Sequence, residues 1–268
     1  MLSVCATPIG NLDDVTLRVL AELRTADLVL CEDTRHTRRL LDRHGIRARV
    51  LSYHEHNEAA RTAALLPRLE AGERIALVSD AGLPALADPG ARLIRAARDA
   101  GVPVRVLPGA SAVDTALVAS GLVAERYQFL GFLPRGEKAL RSLWEELAAW
   151  QWPAVAFESP RRLPATLASL ARVDPEREVA VCRELTKRHE EVVLGAAGEV
   201  AARFTEPPKG EVTVVIGPAA AAAAEPVVED AVEAVGELVA AGMARRHAAA
   251  LVARLSGLPR KQLYDMSL

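Results

Sequence analysis

The chain has 268 residues, of which 50% are hydrophobic and 25% charged, and its formal net charge at pH 7 is −2. This length suits two modest domains, and the apolar content is sufficient for substantial cores. The nearly neutral charge balance excludes a wholly basic nucleic-acid-binding protein, although it averages over local clusters. The three cysteines lie far apart without a CxxC pair, which argues against a zinc site or a disulfide framework.

No apolar run approaches the roughly 20 residues that a membrane-spanning helix needs. The first residues, MLSVCATPIGN, lack the basic start of an export signal. Free cysteines fit a reducing compartment. We therefore expect a cytoplasmic protein that does not enter a membrane.

Short β-like runs alternate with amphipathic stretches through residues 1–121. The amphipathic stretches include Val15–Arg24 and Ala91–Ala100, where apolar residues recur at helical spacing. The β-like runs are Leu2–Ala6, Leu28–Cys31, Arg49–Leu51, Ile75–Val78 and Val104–Leu107. This alternation predicts a parallel sheet covered by helices.

From residue 122 the β-like runs lie closer together, which is compatible with a mixed sheet. They are Tyr127–Phe129, Ala154–Phe157, Glu178–Val181, Glu191–Leu194 and Val212–Ile216. From Ala219 the composition changes to an alanine-rich linker, an acidic helix near Val227–Ala241 and a basic end. We therefore predict two α/β domains, 1–121 and 122–218, followed by a small helical C-terminal appendix over 219–268.

Three glycine-bearing turns directly follow predicted strands of the first domain. They are TPIGN at 7–11, the long loop SDAGLPALADPG at 79–90, and PGAS at 108–111. In a parallel sheet these turns open on one edge, where ligands bind against backbone groups and helix N-termini. Each turn alone is also compatible with an ordinary connection, but three on one edge favour a nucleoside-binding cradle.

The residues in these turns limit the kind of ligand. The sequence has no GxxxxGK[ST] motif, and no GxGxxG follows the first strand. The turns carry Asp80 and Asp88 but no lysine or arginine, which suits a neutral or cationic ligand better than a triphosphate. S-adenosylmethionine, with its sulfonium group, meets that description. Either aspartate could instead cap a helix or a turn.

Eight segments, in order along the chain, carry a resemblance to a known family. They are ATPIGNLDD at 6–14, CEDTRHTRRLL at 31–41, SYHEHNE at 52–58, SDAGLPALADPG at 79–90, PGASA at 108–112, FLGFLPR at 129–135, FESPRR at 157–162 and GEVTVVIG at 210–217. Together they resemble the signature segments of the ribosomal RNA small-subunit methyltransferase I family, the cytidine 2′-O-methyltransferase branch of the tetrapyrrole methylase fold.

The resemblance implies two α/β domains with S-adenosylmethionine in the cleft between them, a homodimer, and 16S ribosomal RNA of the small ribosomal subunit as substrate. The tetrapyrrole-modifying relatives usually have a GPGD-like first loop and a shorter fourth loop, so TPIGN and SDAGLP favour the RNA-modifying branch. The implied cofactor-binding residues are Pro8, Ser79, Asp80, Ala81, Gly82, Leu83, Leu86, Ser111, Ala112, Ser159 and Leu185.

Arginines cluster beside the expected cradle and suggest an RNA-binding surface. Arg35, Arg38 and Arg39 fall roughly on one face of a predicted helix, within reach of successive phosphates. The alternative is an ordinary solvated helix face. Further candidates near the mouth of the cleft are Arg161, Arg162 and Arg183.

A ribose 2′-hydroxyl is a poor acid, so its methylation would benefit from a base or a cation that lowers its pKa. The candidates on edge loops are Glu32, Asp33, Glu184 and Lys187. None is identified by spacing, and each could be a helix cap or an ion-pair partner. His54 and His56 lack a third ligand at suitable spacing, so we expect no metal site.

The last residues predict a helix over Ala248–Leu255, a stop at Ser256-Gly257 and a second helix that begins near Pro259. This spacing is typical of a helix-turn-helix. Arg260 and Lys261 at the start of the second helix favour RNA docking, whereas packing against a protein surface is the alternative. For the whole chain, two other functions stay open: methylation of a tetrapyrrole, and a non-catalytic RNA-binding role in ribosome assembly.

Overall fold

The computed structural model describes residues 1–219, 228–256 and 258–268. The chain divides into two compact units, Met1–Pro218 and Ala219–Leu268. The larger unit contains both sheets, and the smaller one contains three helices. None of the described helices is both long enough and apolar enough to cross a bilayer.

The first sheet is entirely parallel, as the alternating pattern predicted. Its strand order is β3-β2-β4-β1-β5, so the first strand lies between the fourth and the fifth. Leu2 pairs with both Ile75 and Val104. The strands are β1 (Leu2–Cys5), β2 (Leu28–Cys31), β3 (Val50–Ser52), β4 (Ile75–Val78) and β5 (Val104–Leu107).

Helices cover both faces of this sheet because successive strand residues point to opposite sides. On β2, Leu28 and Leu30 join the cluster that contains residues of α3 and α4, whereas Val29 and Cys31 join the one that contains residues of α1 and α2. The helices of this half are α1 (Leu17–Thr25), α2 (Thr34–Arg43), α3 (Glu58–Glu70), α4 (Ala91–Asp99) and α5 (Ala112–Ser120).

The second sheet is mixed, as expected from its closely spaced strands. Its order is β6-β7-β10-β8-β9, with β6 parallel to β7 and the other pairs antiparallel. One face packs on α6 (Glu137–Leu147), α7 (Leu163–Val173) and α8 (Ala197–Arg203). The strands are β6 (Gln128–Phe132), β7 (Ala154–Glu158), β8 (Glu178–Arg183), β9 (Glu191–Ala196) and β10 (Val212–Ile216).

The other face of the second sheet is covered by α5, the helix that follows the last strand of the first sheet. Ala116 and Leu117 of α5 are buried with Ile9 from the loop after β1. The same cluster contains Val155, Ala180, Cys182, Leu185 and Val215 of the second half. This apolar contact joins the two sheets. A division of the larger unit at residue 121 stays a prediction.

The smaller unit contains α9 (Val228–Ala240), α10 (Arg245–Ser256) and α11 (Arg260–Met266) around a core of its own. The two helices predicted near the end of the chain are present, and Pro259 is the N-cap residue of the last one. The expected alanine-rich linker over 220–226, the expected helix start at Val227 and the expected stop at Gly257 lie outside the described residues.

Leu117→Ala tests the contact between α5 and the second sheet. Leu117 is 6% exposed, so we expect the free energy of unfolding to fall by about 2–5 kcal/mol through lost burial and a residual cavity. Urea denaturation followed by circular dichroism measures the change. The matched control is Leu17→Ala, because Leu17 is 83% exposed on α1. Equal effects of both variants would show that the α5 contact adds no stability.

Candidate active site

Three loops meet at the carboxyl edge of the parallel sheet because their strands, β4, β1 and β5, are neighbours. The loop after β1 pairs with the loop after β4. Thr7 N donates to Gly82 O at 2.8 Å, and Gly82 N donates to Thr7 O at 3.1 Å. Thr7 Oγ1 also donates to Ser79 O at 3.0 Å. The predicted convergence of the three turns is therefore present, and hydrogen bonds hold two of them together.

Thr7 is a site residue that sequence reasoning missed, since Pro8 was selected from the same loop. Its role depends on a partner 75 positions along the chain, which no local pattern reveals. Thr7 and Pro8 line a small cavity of about 10 Å³ together with His36, Ser79 and Asp80. That volume is about the size of one water molecule.

The loop after β4 has an unusual backbone. Gly82 and Gly90 have φ values of 74° and 136°, and the alanines Ala85 and Ala87 also have positive values, 71° and 62°. Positive φ is costly for a residue with a side chain and concentrates at functional sites. Between the two alanines, Leu86 is 60% exposed. The loop thus presents an apolar side chain that the fold does not bury.

The same edge offers backbone donors that the fold leaves free. Within the described residues, the N–H groups of Ala81, Leu83 and Ala112 donate no hydrogen bond to another group. Ser111 is the N-cap of α5, and its side chain accepts from Asp114 N at 3.3 Å. Half-buried free donors beside a helix N-terminus suit the polar groups of a nucleoside ligand.

The second half of the unit reaches this edge through the turn after β8. Leu185 is 7% exposed in the apolar cluster beneath α5. A Cβ atom at Gly10 would lie 2.8 Å from Leu185 O and 2.6 Å from Lys187 Cγ, so the two loops approach closely. Asn11 N donates to Thr186 Oγ1 at 3.0 Å. Ser159 lies beyond the end of β7, where its backbone oxygen accepts from Arg162 N and Leu163 N.

Two of the four catalytic candidates, Glu184 and Lys187, form an ion pair. Lys187 Nζ lies 2.7 Å from Glu184 Oε1 and 2.8 Å from Glu211 Oε2. The Lys187 hydrogen bond lowers the pKa of Glu184. Burial alone would lower the pKa of Lys187, but the hydrogen bonds that Lys187 donates to both glutamates outweigh it and raise that pKa. These contacts give both residues a role in shaping the turn, where Glu184 has a positive φ of 53°.

Asp33, the third candidate, caps α2. Its carboxylate accepts from Arg35 N at 2.8 Å and pairs with the Arg35 guanidinium at 3.0 Å. The hydrogen bonds from Arg35 lower the pKa of Asp33 to about 2, so this carboxylate is a weak base. The backbone N–H of Asp33 donates to Asp80 Oδ1 at 3.1 Å, which links the loops after β2 and β4.

Glu32, the fourth candidate, differs from the others because no hydrogen bond to its carboxylate exists within the described residues. Although the residue is exposed overall, desolvation of its carboxyl group and the charge of Asp80 raise its pKa. Burial, followed by the charges of Glu32 and Asp80, raises the pKa of Asp88 to about 6. The charge of Asp80 thus contributes to raising the pKa of both Glu32 and Asp88 at this edge.

The predicted RNA-binding arginines divide into free and engaged groups. Arg38 and Arg39 are exposed on α2, and neither they nor exposed Arg161 form a salt bridge within the described ranges. Arg35 pairs with Asp33. Arg162 pairs with buried Glu158 and donates to the carbonyl groups of Leu133 and Pro134, and Arg183 pairs with Glu191 at 2.8 Å. Arg260 and Lys261 lie in the smaller unit.

Metal ligation is the remaining chemistry to consider. In the part of the chain that the structure describes, no three His, Cys, Asp or Glu side chains are grouped as a metal site. The His54 and His56 rings lie 5.9 Å apart in an edge-to-face arrangement.

Comparisons with known proteins identify the family. The model of the tetrapyrrole (corrin/porphyrin) methylases matches residues 1–201, and a model described as the RsmI C-terminal HTH domain matches residues 226–268. The "Ribosomal RNA small subunit methyltransferase I" of a Synechocystis strain is 42% identical to this chain. The match covers 100% of this chain and 97% of the Synechocystis protein.

Two further matches concern parts of the chain. A relative of the same name from Thermotoga maritima is 42% identical over 216 residues, which are 80% of this chain and 97% of that protein. A Thermus thermophilus uroporphyrin-III C-methyltransferase, solved as a complex with S-adenyl homocysteine, is 18% identical. The match covers 81% of this chain and 96% of that protein with a TM-score of 0.57, which supports the α/β fold with two sheets.

These matches confirm the resemblance of the eight signature segments and the predicted fold class. The chain belongs to the tetrapyrrole methylase family and, within it, to the group of proteins named ribosomal RNA small subunit methyltransferase I.

Proposed function

We propose that the protein transfers a methyl group from S-adenosylmethionine to the 2′-oxygen of a cytidine ribose in 16S ribosomal RNA of the small ribosomal subunit. The observation that carries this proposal is the set of loops after the neighbouring strands β1, β4 and β5 at one edge of the sheet, two of which the Thr7–Gly82 hydrogen bonds join. The methyl donor is S-adenosylmethionine. The choice of a cytidine 2′-oxygen rests on the signature segments quoted above.

The residues at this edge fit the donor in charge and shape. The free N–H groups of Ala81, Leu83 and Ala112 can bind its polar groups, and exposed Leu86 can cover an apolar part. The remaining donor contacts proposed from the resemblance are Pro8, Ser79, Asp80, Gly82, Ser111, Ser159 and the backbone of Leu185. Its sulfonium supplies an electrophilic methyl group, and carboxylates near the cleft favour that positive charge.

The RNA would approach across α2 and the loops beside it. Arg38, Arg39 and Arg161 are exposed and can contact phosphates directly. Arg35, Arg162 and Arg183 form salt bridges with carboxylates or donate hydrogen bonds to carbonyl oxygens. In this proposal they contribute positive charge and keep the loops in position. Arg260 and Lys261 extend the proposed RNA contacts to the smaller unit.

Glu32 is the proposed proton acceptor for the ribose hydroxyl. Its carboxylate is free of hydrogen bonds from described residues, and its raised pKa makes it a stronger base than an ordinary glutamate. Asp33 caps α2, and Glu184 and Lys187 form an ion pair with each other. These three residues are therefore assigned to positioning the loops of the site. Transfer requires the 2′-oxygen to lie in line with the methyl–sulfur bond, and holding that geometry supplies much of the rate.

The proposal includes a cytoplasmic homodimer. Exposed apolar residues occur on the edge strand β5 and on the segment that follows it: Val106 is 47% exposed, Val118 69% and Val123 60%. A second copy of the chain would bury such side chains.

Label transfer from tritiated S-adenosylmethionine to purified small ribosomal subunits that lack the modification tests the function. We expect tritium in 2′-O-methylcytidine after digestion of the RNA to nucleosides. Glu32→Gln is the matched variant, and it should slow transfer by about 10²- to 10⁴-fold because the proton acceptor is lost.

Label in a base-methylated nucleoside would contradict the 2′-oxygen as acceptor. Transfer to a tetrapyrrole and not to RNA would favour the tetrapyrrole-methylating alternative. RNA binding without any transfer would favour the non-catalytic assembly role.

Gly82→Ala tests the donor site. Gly82 has a φ of 74°, and an added Cβ would meet Ala110 O only at an ordinary 3.6 Å. The positive φ and not a steric clash therefore disfavours alanine at this position, and alanine should destabilise the loop by about 1 kcal/mol. We expect a lower affinity for S-adenosylmethionine in calorimetry, since Gly82 forms both hydrogen bonds with Thr7.

The control is Gly121→Ala at the C-cap of α5, where φ is 75° and an added Cβ would meet no atom within 4 Å. This variant carries the same backbone strain outside the cradle and should leave donor affinity unchanged. Equal loss of affinity in both variants would show a general effect of stability.

Asp88→Asn tests the electrostatics of the cleft. The pKa of Asp88 rises from 3.8 to about 6, so between these values the folded protein holds this proton more tightly than the unfolded chain. The stability contribution is therefore full below about pH 3.8 and is lost as the pH rises through about 6. The variant stays neutral, so its Tm should exceed that of the wild type near pH 7.5 and match it near pH 3.

Differential scanning fluorimetry across this pH range measures the effect, with Asp42→Asn on the exposed side of α2 as the control. A difference in Tm between Asp88→Asn and the wild type that does not depend on pH would contradict the assigned environment of Asp88.

A further inference from the structure

The smaller unit carries a groove on its surface that the methyl-transfer site does not use. The unit is built around its own apolar core, to which α9, α10 and α11 all contribute. The buried residues of that core are Ala231, Val235, Ala248, Ala249, Val252 and Leu263. Helices packed on a common core hold their exposed side chains in fixed relative positions.

The groove has a volume of about 480 Å³ and is lined by Arg246 of α10 and by Arg260, Lys261 and Tyr264 of α11. This volume falls within the range of about 300–1,000 Å³ typical of small-ligand clefts. Within the described residues none of the three cations forms a salt bridge. The groove is therefore cationic, and none of the described residues that line it is a carboxylate.

The sequence of α11 explains this arrangement. Leu263 is fully buried and orients the helix on the core, whereas its neighbour Tyr264 is 37% exposed. Arg260 and Tyr264 are four residues apart and so lie on the same side of the helix. Arg246, from α10, supplies a cation from a second element. An aromatic ring is thus held beside three positive charges.

Single-stranded RNA matches this combination better than other partners. Its phosphates suit arginine and lysine, and its unpaired bases stack on aromatic side chains. An acidic protein surface would satisfy the cations but would not require the ring. Paired bases in a duplex do not expose their faces for stacking.

We propose that this groove binds one nucleotide of a single-stranded RNA segment, with Tyr264 stacked on the base and Arg246, Arg260 and Lys261 on the adjoining phosphates. The inference rests on the proposed function in that the bound RNA belongs to the methylation substrate. In this proposal the groove adds affinity for the substrate and takes no part in methyl transfer.

Fluorescence anisotropy with a labelled single-stranded 12-nucleotide RNA and the full chain tests the groove. Tyr264→Leu should weaken binding by roughly 5- to 150-fold through lost stacking, and Tyr264→Phe should retain it. Arg246→Gln should also weaken binding. The double variant Arg260→Gln, Lys261→Gln should reduce the slope of log affinity against log salt by about 1.4, because each single-strand phosphate contact contributes about 0.7.

The control is Arg254→Gln, which removes one exposed charge from α10 outside the groove and should change affinity less than twofold. Wild-type binding by all groove variants would overturn the proposal. So would equal losses from Arg246→Gln and Arg254→Gln, which would indicate unspecific attraction, or equally tight binding of duplex RNA. If Tyr264→Leu fails to fold, the RNA affinity of Arg246→Gln alone tests the groove.

The label-transfer assay separates this inference from the proposed function. Groove variants that bind RNA normally in a protein that methylates its substrate overturn the groove alone. Absence of methylation by the wild type, with oligonucleotide binding that depends on Tyr264, overturns the proposed function alone.

Discussion

The apolar contact between α5 and the second sheet is the constraint on which the rest of the larger unit depends. Ala116 and Leu117 belong to the helix that follows the last strand of the first sheet. Both are buried against the face of the second sheet that carries Val155 and Val215. Ile9, from the loop after β1, joins the same cluster. The loops that form the candidate site are therefore anchored to both sheets, so the cleft is shaped by buried apolar surface, and its polar groups stay available to ligands.

Within the described residues, positive φ values of residues other than glycine occur in two loops, one in each half of the larger unit. Ala85 and Ala87 have positive φ beside the candidate donor site, and Glu184 and Thr186 have positive φ in the turn that contacts the first loop. Conformations of this kind persist only where surrounding contacts outweigh their cost. The Thr7–Gly82 hydrogen bonds and the Lys187 ion pair provide such contacts. Strained residues at both sides of one cleft are consistent with a site held in position before its ligands bind.

The fold was predictable from the sequence because it follows local rules. Short apolar runs such as Ile75–Val78 identified the strands with ends within three residues of the observed ones, and parallel topology placed the turns of the first sheet on one edge. The site was predictable only as far as its loops. The Asp33 cap and the Lys187–Glu184 ion pair are local contacts, which the sequence allowed as alternatives without selecting them. Thr7 depends on Gly82, a partner 75 positions along the chain that only folding brings near it. The packing of α5 was missed for the same reason, since an apolar helix face does not specify which sheet it covers.

A crystal structure of the full chain with S-adenosylhomocysteine tests most directly whether these loops form the donor site. The expected structure places the ligand against Ser79–Leu83 and Ser111–Ala112, beside the backbone of Leu185, with both Thr7–Gly82 hydrogen bonds intact. A ligand bound away from this edge, or loops that have exchanged those hydrogen bonds for others, would contradict a cleft assembled by the contact between α5 and the second sheet.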